Sequence, residues 1–201
     1  SQPWGRVKSD DKRFLLGVSY DLNDQWTVSA RHGRLAHRED FMTPTQVRIV
    51  NAAGDFTYRS IRQPAEFDTR TSDIGLKGKF NTGSVRHELA LNATHFYADN
   101  QFAFLTFGPT LTSNLYAPVA STAPSFAGTP EQARPGNERT LRTVAVADTM
   151  YLLNDDLQVT LGLRHQSIKI TNFVNASGNA PGTVASVIDQ SKVSPVAAVL
   201  Y

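Results

Sequence analysis

From Leu157 to Gln166 the chain alternates without a break: Leu157, Val159, Leu161 and Leu163 fall on one side, and Gln158, Thr160, Gly162, Arg164 and Gln166 on the other. A period of two marks a strand whose two faces meet different surroundings, because successive side chains leave a sheet in opposite directions. The pattern recurs with Phe14, Leu16, Val18 and Tyr20, and with Trp26, Val28 and Ala30 opposite Gln25, Thr27, Ser29 and Arg31. It returns with Ile74, Leu76 and Phe80 opposite Asp73, Lys77 and Lys79, and with Val85, Leu89, Leu91 and Ala93 opposite Arg86, Glu88, Asn92 and Thr94. Two less regular stretches complete about seven expected strands: Leu141 to Tyr151, where Val144 and Val146 share a side with Arg142 and Asp148, and Val193 to Tyr201. No helical period survives the Gly, Pro, Asn and Thr residues that interrupt longer windows, so the fold class is all-β.

The connections between these strands are unequal. Asp21-Leu22-Asn23-Asp24, Asn81-Thr82-Gly83-Ser84 and Asn154-Asp155-Asp156 are tight polar links, whereas Ala36 to Thr69, Asp99 to Arg139 and Thr171 to Gln190 read as long loops. Short and long links alternate strictly, which sets all the long ones at one end of an antiparallel sheet. Compact soluble domains favour short connections throughout, while outer-membrane barrels have short periplasmic turns and long extracellular loops. Tyr20, Trp26, Phe80 and Tyr151 stand beside the short links, where a membrane–water interface would lie.

An apolar face can be buried against a second sheet or against lipid, and alternation alone does not choose. Loop asymmetry and aromatic placement favour lipid, with Arg31, Asp73, Lys77, Lys79, Arg86, Glu88 and Arg164 on a hydrated inner face. A membrane sheet must close on itself, which seven strands do not do, so further strands are expected beyond this stretch. The opening Ser1-Gln2-Pro3-Trp4 likewise suggests a processed or excised chain. With no cysteine, a disulfide framework or thiolate site is excluded. Twenty Lys and Arg against eighteen Asp and Glu, scattered rather than clustered, give no support to nucleic-acid binding.

Several stretches resemble the barrel region of TonB-dependent siderophore receptors. They are Tyr20-Asp21-Leu22-Asn23-Asp24-Gln25-Trp26-Thr27; the Gly-punctuated strand Asp73 to Phe80 with its Asn81-Thr82-Gly83 turn and His87-Glu88-Leu89; and Asp148 to Tyr151 running through Asn154-Asp155-Asp156 into Gly162-Leu163-Arg164. Asn114-Leu115-Tyr116-Ala117-Pro118 and Ser191-Lys192-Val193-Ser194-Pro195 follow in the same order. The resemblance covers nearly all of residues 1–201 and implies part of a barrel of about 22 strands with a plug inside it. Such a receptor takes up ferric siderophores, driven by TonB, from the bacterial outer membrane. The expected partners are therefore a ferric siderophore, TonB through a plug region not seen in this stretch, and outer-membrane lipid; no cofactor is expected, iron entering only with the ligand.

Nothing in the sequence suggests an enzyme. No Gly-x-Ser-x-Gly elbow occurs, Asp155 and Asp156 are turn residues, and His32, His37, His87, His95 and His165 lack metal-ligand spacing. Ligand contacts are expected in the long loops, where Phe102, Phe104, Phe107 and Tyr116 offer aromatic faces to a flat chelate and Arg59, Arg62 and Arg70 offer positive charge to an anionic one. Packing of those aromatics within the loop is the competing reading. A plug-less porin and a soluble all-β binding module are the alternative functions.

Overall fold

The computed structural model describes residues 2–103, 106–126, 132–174 and 182–201. It is one antiparallel sheet of eight strands: β1 (Arg6–Asn23), β2 (Trp26–Ile49), β3 (Asp55–Thr82), β4 (Val85–Phe102), β5 (Thr106–Asn114), β6 (Arg134–Leu152), β7 (Leu157–Phe173) and β8 (Val184–Leu200). Seven of them pair in the order β1-β2-β3-β4-β6-β7-β8, and β5 continues beside β3 above the end of β4. No helix is present among the described residues.

The seven strands expected from alternation are all there, but the strands run far into what read as long loops. Ala36 to Thr69 is a hairpin whose strands pair as far as Ile49 with Phe56, leaving only residues 50–54 as its tip. Asp99 to Arg139 contains β5 and the start of β6, and Thr171 to Gln190 contains the ends of β7 and β8. Ladder hydrogen bonds join backbone to backbone and do not require alternation. These extensions therefore pair although their two faces are no longer apolar against polar.

Directly paired residues share a face, so the register resolves into rows that cross the sheet. One face carries Val18–Ala30–Ile74–Ala93–Val144–His165–Val193, then Tyr20–Val28–Leu76–Leu91–Val146–Leu163–Pro195, then Trp26–Gly78–Leu89–Asp148–Leu161–Ala197. These side chains have no second layer over them: Ile74 is 60% exposed, Val144 59% and Leu163 53%. The other face carries Ser19–Ser29–Gly75–Asn92–Ala145–Arg164–Ser194 and Gly17–Arg31–Asp73–Thr94–Thr143–Gln166–Lys192. An uncovered continuous apolar band backed by a polar, small-residue face is the wall of a transmembrane barrel, apolar outward and hydrated inward.

Packing explains several sequence signals. Gly78 is paired with Trp26, and a Cβ at Gly78 would stand 2.2–2.5 Å from three atoms of the indole ring. Trp26 stacks on Phe80 at 6.3 Å between ring centroids, and Phe80 on His87 at 4.7 Å, so rings from β2, β3 and β4 form a girdle at the short-turn end. His87 Nδ1 donates to Asp148 Oδ2 at 2.7 Å, which accounts for a carboxylate on the side of the valines of β6. Arg142 shares that side because it lies above the apolar rows, beside His95. Tyr151 departs from expectation: it is on the inward face, opposite Arg86, whose guanidinium lies 3.6 Å from its ring centroid.

The short turns are held locally. Asn23 Oδ1 accepts from the amides of Gln25 at 2.9 Å and Trp26 at 3.0 Å. Gly83 takes φ +61°, and Leu153, Asn154 and Asp155 all lie in the left-handed region. At the far end Trp4, Met42 and Tyr58 form a small buried cluster, with the hydroxyl of Ser121 accepting from Trp4 Nε1 at 3.0 Å and lying 2.9 Å from the Tyr58 hydroxyl.

Candidate functional site

Above the apolar band the pattern on both faces of the wall changes. The outward face turns charged, with Arg142 and then Arg34, Arg70 and Lys169. The inward face gains apolar and aromatic residues among polar ones: the row Leu15–Gly33–Thr71–Phe96–Leu141–Ile168 is followed by rows in which Phe67, Phe102, Phe41, Ile61 and Phe107 stand among Arg13, His37, Glu39 and Asn100. An inward surface of aromatic and branched residues at the mouth of a hydrated lumen is suited to a ligand with an apolar body.

Three of the residues singled out in the sequence lie on this surface. Arg59, in β3, donates from Nε to the Gly108 carbonyl at 3.2 Å, and its guanidinium carbon lies 4.8 Å from the centroid of Phe107. The pairing of Ile61 with Phe107 and of Ala65 with Phe102 sets both phenylalanines on the inward face. Phe102 packs over Gly136, where a Cβ would approach its ring to 2.2 Å. Planar guanidinium and aromatic faces side by side can receive a compact anionic, partly aromatic ligand.

The remaining candidates lie elsewhere. Arg62 belongs to the outward face and is bound to Asp40, with Nε–Oδ1 at 3.0 Å and Nη2–Oδ2 at 3.1 Å. Arg70 is outward as well and shares Asp68 with Arg34. Tyr116 is 80% exposed and stands at the β2–β3 hairpin tip, its ring against Gly54. Phe104 lies outside the described residues. Sequence reasoning missed Phe41, Phe67 and Phe96, although counting in twos from Val28, Ile74 and Leu91 follows the outward face of β2, β3 and β4, leaves each of the three on the inward one, and puts Arg62 and Arg70 outward.

The inward face also holds a coupled set of titratable groups above the apolar band. His37 Nδ1 donates to Asp11 Oδ1, Nε2 stands 3.6 Å from Glu39 Oε2, and the ring stacks on Phe67 at 5.7 Å. The hydrogen bond to Asp11 raises the His37 pKa, and the same bond lowers that of Asp11. At the hairpin tip, hydrogen bonds from Asn114 and Asn51 lower the pKa of Asp55. Among the described residues no cluster of His, Asp and Glu has the make-up of a metal site.

The fold and the face pattern define the class: an antiparallel wall segment of a transmembrane β-barrel. The model of the TonB-dependent receptor-like β-barrel matches residues 1–201, and the chain belongs to that family. It is 25% identical over 197 residues to the ferrichrome receptor FcuA of Yersinia enterocolitica, a match that covers 97% of this chain and 25% of that protein. Among solved structures, BauA, the ferric preacinetobactin receptor of Acinetobacter baumannii, superposes with a TM-score of 0.68 at 27% identity, over 98% of this chain and 28% of that one. The siderophore receptor PiuA of Acinetobacter baumannii shares the fold with a TM-score of 0.70 at 17% identity, over 98% of this chain and 30% of that one. The chain thus spans about a quarter of the length of the curated relative it matches.

Proposed function

We propose that this chain is a wall segment of an outer-membrane receptor that imports ferric siderophores, powered through TonB, with Arg59, Phe102 and Phe107 among its ligand contacts. The observation that carries the reading is the change along the inward face of the wall. The inward face is polar where the outward face is apolar, and above that level it gains phenylalanines, one of them beneath an arginine. The names of the relatives, receptors for ferrichrome and for ferric preacinetobactin, agree with a ferric chelate as ligand class. TonB contact belongs, on this reading, to a plug region of the complete receptor, and iron enters as cargo. Arg62 and Asp40 then serve to tie β2 to β3, since they pair on the other face.

The test uses the complete receptor in detergent, titrated with ferrichrome and with a ferric tris-catecholate while intrinsic fluorescence is followed. Binding of one of them, weakened roughly tenfold or more by Arg59→Gln and little changed by Arg62→Gln, is the expected result for loss of a contact to a charged group. Binding of neither chelate, together with steady passage of small solutes through the reconstituted protein without an energy source, would make it a passive pore.

A further inference from the structure

One histidine stands at the foot of the inward aromatic surface with a carboxylate at each ring nitrogen. His37 Nδ1, in β2, donates to Asp11 Oδ1 in β1, and its Nε2 lies 3.6 Å from Glu39 Oε2. A neutral imidazole has a single N–H and can serve one carboxylate; the imidazolium serves both. The third charged group at this point is Arg13, whose Nη2 donates to Asp11 Oδ2 at 3.3 Å. The remaining inward neighbours, Ser9, Leu35, Ala65 and Thr69, are uncharged. Arg13, Asp11, His37 and Glu39 therefore sum to zero while His37 holds its second proton and to one negative charge when it does not. The bond to Asp11, followed by the charges of Asp11 and Glu39, raises the His37 pKa above its ordinary 6.5 against the opposing effect of burial.

The ring of His37 also reaches the ligand surface. Phe67 is its directly paired partner on β3, with ring centroids 5.7 Å apart and 30° between the planes. Phe102 pairs with Ala65, two residues along β3, and so stands diagonal to Phe67, at a spacing that aromatic side chains span. A cation against an aromatic face is held more firmly than a neutral ring. We propose that His37 is a proton-controlled positioning residue for the ligand surface. Its imidazolium, set between Asp11 and Glu39, fixes the Phe67 ring beside Phe102; loss of the proton loosens that ring and leaves the foot of the surface negative. A ferric chelate is bound more tightly below the folded pKa of His37 than above it, and the difference is larger for an anionic chelate, which the added negative charge repels.

The inference rests on the reading of the inward face as a chelate-binding surface, and the two fail separately. The complete receptor in detergent, as wild type and as His37→Gln, is titrated with ferrichrome and with a ferric tris-catecholate from about pH 6 to about pH 9, a range that brackets the histidine. Dividing the Kd of the variant by that of the wild type cancels the titration of the chelate itself. The expected ratio is roughly twofold to fivefold at the acid end, the effect of a cation–ring contact at an exposed site, and falls towards unity at the alkaline end. It is larger for the tris-catecholate if that is the chelate bound. A ratio that does not change with pH, as a merely structural histidine would give, overturns the proposal. Asp11→Asn keeps the ring, removes its hydrogen-bonded carboxylate and serves if His37→Gln does not fold: the midpoint of the wild-type pH profile moves to lower pH, and an unmoved midpoint overturns the proposal as well. Nuclear magnetic resonance of the receptor with labelled His and Phe rings needs no ligand. Signals of His37 and Phe67 that shift with one midpoint support the switch, and a Phe67 signal indifferent to His37 overturns it. Binding of neither chelate overturns the chelate-surface reading instead, and leaves the ring titration to decide the histidine.

Discussion

At the scale of single residues, the wall depends on a few close approaches that tolerate no added atom. Gly78 is one, since a methyl group there would meet the Trp26 ring inside van der Waals contact, and that ring is itself held against Phe80. Gly78→Ala should therefore destabilise the barrel by about 1–3 kcal/mol, the usual range for overpacking. Urea unfolding in lipid vesicles checks it; unchanged stability and indole emission would mean the ring has room to move. His37 and Asp11 make a pH prediction of the opposite kind. The raised pKa of His37 gives stability that is fully present below its ordinary value of 6.5 and is lost as pH rises through the folded value. The lowered pKa of Asp11 gives stability that is present above its ordinary 3.8 and is lost as pH falls through the folded value. Hydrogen-exchange protection of the upper β1–β2 ladder should accordingly peak between those limits, and His37→Gln should flatten the alkaline side of the profile. A profile identical to wild type would remove the pair from the ladder's energetics.

At the scale of elements, the β2–β3 hairpin depends on a residue outside it. Asn114, the last residue of β5, donates from Nδ2 to the Ala53 carbonyl at 2.9 Å and to Asp55 Oδ1 at 2.8 Å, and its Oδ1 accepts from the amides of Tyr116 at 2.8 Å and Ala117 at 3.1 Å. Asn114→Ala removes all four bonds, and should release the tip and the Tyr116 ring while the lower sheet keeps its stability. Faster exchange of the Leu115 amide, which donates to the Gly54 carbonyl at 2.9 Å, would report the release; unaltered exchange there would show the tip to be self-supporting. The motif Asn114 to Pro118 was visible in the sequence, but its partners at the tip were not, because contacts across about sixty residues leave no local pattern. The lower strands were legible for the converse reason: lipid outside and water inside impose strict alternation on residues such as Leu157 to Gln166. Above the band both faces carry mixed residues, so Arg38, Glu66 and Gln101 pair in one row without any periodic sign that they do. The candidate site was legible in part. Arg59, Phe102 and Phe107 were singled out by chemistry, and only the register separates them from Arg62 and Arg70.

At the scale of the whole molecule, the assignment of the faces to lipid and lumen makes a demand that depends on the bilayer itself. Val146 lies in the central outward apolar row between Leu91 and Leu163, and Thr143 lies on the inward face of the same strand between Thr94 and Gln166. An arginine at position 146 must place its charge in hydrocarbon near the middle of the band, at a cost of about 2–4 kcal/mol, whereas one at position 143 enters a hydrated lumen that already holds Arg31 and Lys192 in the same row. Val146→Arg should therefore lower the urea midpoint of the complete receptor in lipid vesicles sharply, and Thr143→Arg should leave it nearly unchanged. The contrast should fade in detergent micelles, where the chain of an arginine at position 146 reaches water more easily than across a bilayer. If the two variants cost the same in vesicles, the faces are not lipid and lumen, and the inward ligand surface loses its foundation.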